Sequence, residues 1–133
     1  MTKKHIEVVA GVIYFEDKIL CMQRDQGKFE YVSFKWEFPG GKIEEGETKE
    51  QALKRELREE MELEVEIIEH LIDVNHEYPD FTMNMYTFVC KSQTDKFVMN
   101  VHKDFKWLPL DEISSLDWAP ADMPIVEKLL KNK

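Results

Sequence analysis

Residues 38–63 read FPGGKIEEGETKEQALKRELREEMEL, and the helix written into that stretch decides how the rest of the chain is read. Thr48 is an N-cap signal, acids follow it, and Ala52, Leu53, Leu57 and Met61 recur at helical spacing, so a helix is expected over about 48–61. Glu56, Glu59 and Glu60 stand at i, i+3 and i+4, which at about 100° per residue gathers three like charges within an arc of roughly 100°. The apolar stripe lies beside that arc, so the helix can bury one side while the carboxylates line the edge of the same groove. Stacked acids cost stability, and a hard divalent cation offsets it. Mg²⁺ in particular takes a few carboxylates together with waters and substrate phosphates, so phosphate chemistry is the first expectation. On composition alone the plainer reading is a solvated Glu-rich face balanced by Lys54, Arg55 and Arg58. Just upstream, Phe38-Pro39-Gly40-Gly41 reads as a rigid turn followed by two residues free to take positive φ and to bring backbone close to a ligand.

Outward from the helix, residues 5–15 and 18–23 are β-branched and apolar on either side of Glu16-Asp17, the pattern of an opening hairpin. Residues 25–35, DQGKFEYVSFK, have weak periodicity and a glycine, which predicts a loop leading into Trp36. Beyond the helix, 63–77 and 81–91 read as two strands joined at Tyr78-Pro79-Asp80. A further strand is expected near 103–107, then a short helix in DEISSL, then a final helix opened by Met123-Pro124 and running through Lys131. Strands interleaved with two substantial helices imply a layered α/β (α+β) domain.

The chain has 133 residues, 43% of them apolar, which suits one compact unit over 1–133 with no internal linker or repeat. Its net charge is −9, from 27 acids against 18 bases, and that balance argues against a nucleic-acid clamp or a membrane-surface protein. No apolar run approaches a membrane span and the start lacks a signal-peptide core, so a cytoplasmic protein is expected. Cys21 and Cys90 read as buried thiols of a reducing compartment.

The spacing within 41–63 is more specific than its composition. It runs Gly41, five residues, Glu47, seven residues, Arg55-Glu56-Leu57, one residue, Glu59-Glu60, one residue, Glu62-Leu63. This resembles the signature of the Nudix hydrolases, and eight of its nine specified positions match. The departure is Glu62, where the family has a glycine after the helix; a glutamate there is expected to strain or lengthen the helix end. Outside the signature, IEVVAGVI, KILCMQR, WEFPGGKIEEGE and LDWAPADMPIVEKLL look most like the small nucleotide-cleaning branch of the family, the MutT and CTP pyrophosphohydrolase type. The resemblance implies an α/β/α sandwich with a mixed sheet, Mg²⁺ or Mn²⁺ as cofactor, and cleavage of a nucleoside triphosphate to the monophosphate and pyrophosphate.

Carried over residue by residue, the resemblance makes Glu59 and Glu60 the principal metal ligands, joined by the Gly40 carbonyl. Glu56 would be a further ligand or would orient or deprotonate the attacking water. Arg55 would pair with Glu47 and hold the helix start, completing the catalytic set. Arg24, at a strand end, matches a position that places an arginine on the phosphates, against the alternative of an ordinary solvent-exposed arginine. Asp122 matches a residue that reads the base edge; as an ionised carboxylate it would only accept hydrogen bonds and so favour bases with an amino group. An N-cap for the last helix is its other reading. Phe38 and the loop aromatics Phe29, Tyr31 and Phe34 are candidates to stack on the base, with buried packing the alternative.

A second departure concerns a further acid that relatives supply, where this chain has Cys90 or Val101-His102. Glu77, Asp80 and Asp104 are the candidate replacements. His5, His70, His76 and His102 show no ligand spacing and are read as structural or exposed. The expected partner is a small-molecule nucleotide, with no nucleic acid and no membrane, and the protein a monomer or homodimer. A Nudix hydrolase of another diphosphate, such as ADP-ribose or a dinucleotide, and a catalytically silent nucleotide-binding module are the competing readings.

Overall fold

The structure, a computed structural model, describes residues 3–27 and 29–132. Met1, Thr2 and Lys133, at the ends of the unit expected over 1–133, and Lys28, inside the expected loop at 25–35, lie outside them. The described residues form one mixed sheet. Strand β1 (Lys4–Phe15) turns at Glu16-Asp17 into β2 (Lys18–Gln23), with Tyr14 opposite Ile19. Two very short strands follow, β3 (Trp36–Glu37) on β2 and β4 (Gly40–Lys42) on β1. Helix α1 (Lys49–Met61) comes next, then the long pair β5 (Val65–Glu77) and β6 (Phe81–Ser92), then β7 (Asp104–Pro109) on β2. After a 3₁₀ segment at Leu110–Ser115, helix α2 (Met123–Lys131) ends the fold. The spine of the sheet runs β3-β2-β1-β6-β5, and only β1 and β6 are parallel, with Val8 opposite Met85 and Ile13 opposite Cys90.

Alternation along β1 sorts the core into two layers. Val8, Ala10 and Val12 face one side, where Ile125, Val126 and Leu129 of α2 and the Trp36/Trp118 pair cover them. Val9 and Ile13 face the other, against Ala52, Leu53, Leu57 and Met61 of α1. A sheet with a helix on each face is the expected α/β/α sandwich, and none of the described helices is long and apolar enough to cross a membrane.

Two expectations about glycine and capping change here. Gly40 and Gly41 are expected to be free for positive φ, but among the described glycines only Gly46 takes it, at φ +86. The glycines serve close approach instead: a Cβ on Gly40 would sit 1.9 Å from the Val9 carbonyl oxygen. Asp122 does precede α2, yet its side chain makes no cap hydrogen bond, because the carboxylate is drawn elsewhere.

Candidate functional site

Thr48 and Gln51 close a capping box: the Gln51 N–H donates to Thr48 Oγ1 at 3.1 Å and the Thr48 N–H donates to Gln51 Oε1 at 2.9 Å. That fixes the start of α1 against the loop from β4. Across the loop Arg55 grips Glu47 with two bonds, Nε to Oε2 at 2.7 Å and Nη2 to Oε1 at 3.0 Å. Its Nη2 also donates to the Lys42 carbonyl at 2.9 Å. Arg55 thereby ties β4, the loop and the helix into one unit, and its hydrogen bonds hold Glu47 below the ordinary carboxylate range. The pairing expected from the resemblance is present.

The carboxylates sit where that unit meets the sheet. A Cβ on Gly41 would lie 2.3 Å from the Glu56 carboxyl carbon, so only glycine leaves room for Glu56 to press against the β4 backbone. Arg55 Nη1 donates to Glu56 Oε1 at 3.0 Å and to Glu59 Oε2 at 3.3 Å. Glu60 is hydrogen-bonded to Glu56, and burial, with Glu56 beside it, pushes its carboxyl up to about 7. Glu59 is different: its side chain is 61% exposed and leans on Arg55. The helix therefore brings Glu56 and Glu60 together and leaves Glu59 at the rim, and the described residues hold no preformed cluster of three acid, imidazole or thiol ligands. Two neighbouring carboxylates beside a glycine backbone, one of them raised by burial and by the other's charge, nevertheless fit a hard divalent cation, since such an ion would relieve the repulsion.

Glu56, Glu60, Gly40 and Gly41 open into a cleft of about 1250 Å³ that runs across β1 toward α2. Arg24 lines it; Nη1 donates to Glu37 Oε1 at 3.2 Å, and Nε is buried with no hydrogen-bond partner among the described residues, a donor left for a ligand. Asp122 lines it from the other end. The bridge between Trp36 and Trp118 and the bond from the Ala119 N–H to the Trp36 carbonyl, 2.8 Å, carry this segment to β3, where the Phe38 N–H donates to Asp122 Oδ2 at 2.8 Å. Asp122 is only 4% exposed. Burial, reinforced by the Glu37 charge, raises its carboxyl well above the ordinary range, against the pull of the Phe38 N–H and Arg24. The fold thus shifts this group in the direction of the acid, whereas the sequence reading takes it as ionised.

Phe38 lines the cleft, but the residue is 3% exposed and its ring is stacked on Trp118 at 4.5 Å, which makes packing the contact it shows. Phe29 lines the cleft and stacks on Tyr31, which stacks in turn on Tyr78, while Phe34 lies 43% exposed and is not among the lining residues. Of the candidate replacement acids, Glu77 is tied to Lys3, and neither it nor Asp104 lines the cleft. Asp80 does, accepting the Tyr31 hydroxyl at 2.9 Å among the aromatics.

Two residues that sequence reasoning passed over stand at the centre. Glu37 carries no expectation from the sequence, and His102 is expected to be structural or exposed. The His102 side chain is 5% exposed, lines the cleft, and its Nε2 lies 2.8 Å from Glu37 Oε2. Sixty-five positions separate the two in sequence, and no local pattern links them.

An acid pair set on a glycine-fed helix, facing a nucleotide-sized cleft on a mixed sheet, defines a hydrolase of phosphate anhydrides, and comparison with known proteins agrees. The chain belongs to the Nudix family: the family profile described as NUDIX domain matches residues 4–129. It is 33% identical over 131 residues to the CTP pyrophosphohydrolase of Escherichia coli (strain K12), covering 96% of this chain and 93% of that protein. To the 8-oxo-dGTP diphosphatase of the same organism it is 29% identical over 126 residues, covering 95% of this chain and 97% of that protein. Among solved structures, the MutT protein of methicillin-resistant Staphylococcus aureus 252 superposes with a TM-score of 0.76 at 37% identity, over 99% of this chain and 100% of that one.

Proposed function

We propose that the protein is a Mg²⁺-dependent nucleoside triphosphate pyrophosphohydrolase that converts a (d)NTP and water to the (d)NMP and diphosphate, acting on CTP, modified dCTP or 8-oxo-dGTP type substrates in nucleotide-pool sanitation. The observation that carries it is the shared cleft: the Glu56–Glu60 pair at one end, the unpartnered Arg24 Nε between, and the buried Asp122 at the other. A triphosphate bound in it would meet cation, arginine and base reader. The names of the relatives support the substrate class.

Glu56, Glu59, Glu60 and the Gly40 carbonyl would hold the cation, with Glu59 swinging in from the rim; Mn²⁺ suits the same oxygen donors. When bound, the cation neutralises phosphate oxygens and acidifies water. Arg55 and Glu47 keep the helix start rigid, Arg24 neutralises a phosphate, and Phe38 fixes Asp122 through its backbone N–H while Asp122 reads the base edge. The test is a hydrolysis panel of CTP, dCTP, 5-methyl-dCTP, 8-oxo-dGTP, dGTP, dATP, dTTP, UTP and ADP-ribose with products resolved. Diphosphate release is the expected outcome, and Glu59→Gln and Glu60→Gln should each lower kcat by about 10²-fold or more. Variants within about tenfold of the parent, or turnover of ADP-ribose alone, would overturn the assignment.

A further inference from the structure

Tyr78 lines the cleft from the turn between β5 and β6, and the fold fixes it there from several sides. Its N–H donates to the Phe81 carbonyl at 2.8 Å and its carbonyl accepts the Lys3 ammonium at 3.0 Å. The ring stacks on Tyr31 at 5.2 Å, meets His76 edge-on at 4.4 Å and packs on Phe81 at 4.9 Å. The residue is 5% exposed. A ring clamped in this way holds its hydroxyl at one place. That place is the segment leading into α2, 43 positions along the chain, where the Ala121 N–H donates to Tyr78 Oη at 3.0 Å.

Packing accounts for the ring but not for what the hydroxyl does. A phenol offers one proton as well as lone pairs. Tyr78 Oη accepts from Ala121, and no atom of the described residues accepts its proton in return. Burial pushes the phenol up to about 12, so the proton stays in place through the neutral range. The next residue, Asp122, is half spent in the same way: Oδ2 takes the Phe38 N–H, while Oδ1 receives no hydrogen bond from the described residues. Ala121 and Asp122 line the cleft together with Tyr78, so one corner of it holds an unspent hydroxyl donor beside an unspent carboxyl oxygen. A buried donor without an acceptor costs folding free energy, and the cost is recovered when a ligand supplies one. A site so built favours a ligand that carries the matching atom over one of the same shape that lacks it. Phosphate oxygens have the cation and Arg24 to meet them; the aromatic surroundings of Tyr78 suit a flat heterocycle.

We propose that Tyr78 is a specificity-determining residue of this cleft, its hydroxyl donating a hydrogen bond to an acceptor atom of the nucleobase, a ring nitrogen or a carbonyl oxygen, while its oxygen keeps the Ala121 N–H. The assignment rests on the nucleoside triphosphate reading above and adds a contact to the base from the β5–β6 turn, next to the one expected of Asp122. No bond of the substrate is made or broken by it. Its effect falls on how tightly, and how selectively, a base is held.

The informative variant is Tyr78→Phe, which keeps the ring and removes the hydroxyl. Affinities are read by calorimetric titration with Mg²⁺ and three kinds of probe that are not turned over as substrates carrying a natural base: methylene-bridged CTP and dGTP, a methylene-bridged triphosphate whose base is a plain phenyl ring, and inorganic tripolyphosphate. For whichever natural base the parent binds more tightly, Tyr78→Phe should weaken binding by about tenfold or more. The phenyl analogue has no acceptor and tripolyphosphate has no base, so the variant should bind both within about twofold of the parent. A hydroxyl that served only to hold Ala121 would instead weaken the phenyl analogue along with the natural nucleotide, and that result overturns the proposal. So does a variant that binds the natural nucleotide within about twofold of the parent. Should Tyr78→Phe fail to fold, proton NMR of the parent decides: the Tyr78 hydroxyl proton should become slow to exchange when the methylene-bridged nucleotide is added and not when tripolyphosphate is added, and a hydroxyl proton that the nucleotide leaves unprotected overturns the proposal. Because binding is measured without turnover, the two readings fail separately. A parent that hydrolyses no triphosphate but loses nucleotide affinity through Tyr78→Phe overturns the hydrolase reading and supports this contact, whereas an active parent matched in affinity by Tyr78→Phe overturns only the contact.

Discussion

Asp122 shows how far a neighbourhood can change what a residue letter means. From sequence it is an acidic side chain just before a helix, suited to cap that helix or to accept from a base amino group. Packed between β3 and α2 it is nearly sealed from water, within reach of the Glu37 charge, and bonded to one backbone N–H, so its carboxyl is raised well above the ordinary range. The sign of the consequence follows from linkage. A raised folded-state value means that the native protein holds this proton more tightly than the unfolded chain does. The associated stability is complete in the ordinary aspartate range and below, and it is lost as pH rises through the folded value. Asp122→Asn keeps the shape and an oxygen to accept the Phe38 N–H while removing the ionisation. Its urea midpoint should therefore decline less than that of the parent as pH rises from the ordinary aspartate range. Parallel declines in the two proteins would show that the Asp122 ionisation does not set the pH dependence of stability.

Helix α1 was legible almost residue by residue because a 3.6-residue period and an N-cap residue are local signals. Thr48 and the stripe through Met61 needed no knowledge of the sheet, while the Gln51 half of the box emerged only with the structure. The β1–β2 hairpin and the β5–β6 pair were legible for the same reason, since alternation and the turn residues at 16–17 and 78–80 lie within each segment. Strands β3 and β4 were not. Two or three residues carry no period, and Gly40-Gly41 reads as a turn until β1 is laid against it at a distance only glycine permits. The same limit hid the pairing of Glu37 with His102, which exists only after β2, β3 and the 101–103 segment have met. The helix end was read correctly as a place of conflict. Glu62 does not lengthen α1; it takes the left-handed conformation itself, φ 51 and ψ 39, and closes the helix with its N–H on the Arg58 carbonyl at 3.0 Å and that of Leu63 on the Leu57 carbonyl at 3.2 Å. A side chain in that region costs about 1–2 kcal/mol, partly offset by the greater freedom glycine would have in the unfolded chain. Glu62→Gly should accordingly raise stability by roughly 0.5–1 kcal/mol in urea denaturation with kcat unchanged, and a loss of stability would mean the glutamate makes a compensating contact.

At the scale of the whole molecule, a chain of net charge −9 concentrates its acids where it works, and a cation should be part of its stability as well as its chemistry. Burial and the adjacent Glu56 raise Glu60 to about 7, so the stability tied to its protonated form is present at acid pH and disappears as pH climbs through that value. The metal-free protein should then melt at a lower temperature near pH 8 than near pH 6, as the deprotonated pair repels. A divalent cation that occupies the site supplies the missing positive charge and binds only the native arrangement. At a concentration about 100 times its dissociation constant it should add roughly 2.7 kcal/mol. For a domain of this size that corresponds to a rise in Tm of roughly 8–12 °C. The rise should be large near pH 8 and much smaller near pH 5.5, where a proton competes for Glu60. Scanning calorimetry with Mg²⁺ against a chelator, with NaCl matching the ionic strength, separates site binding from general screening of the acidic surface. Glu60→Gln should flatten the metal-free pH dependence and remove most of the Mg²⁺ effect together. If parent and variant gain equally from Mg²⁺, the ion acts on the diffuse charge of the surface and the Glu56–Glu60 pair is not its seat.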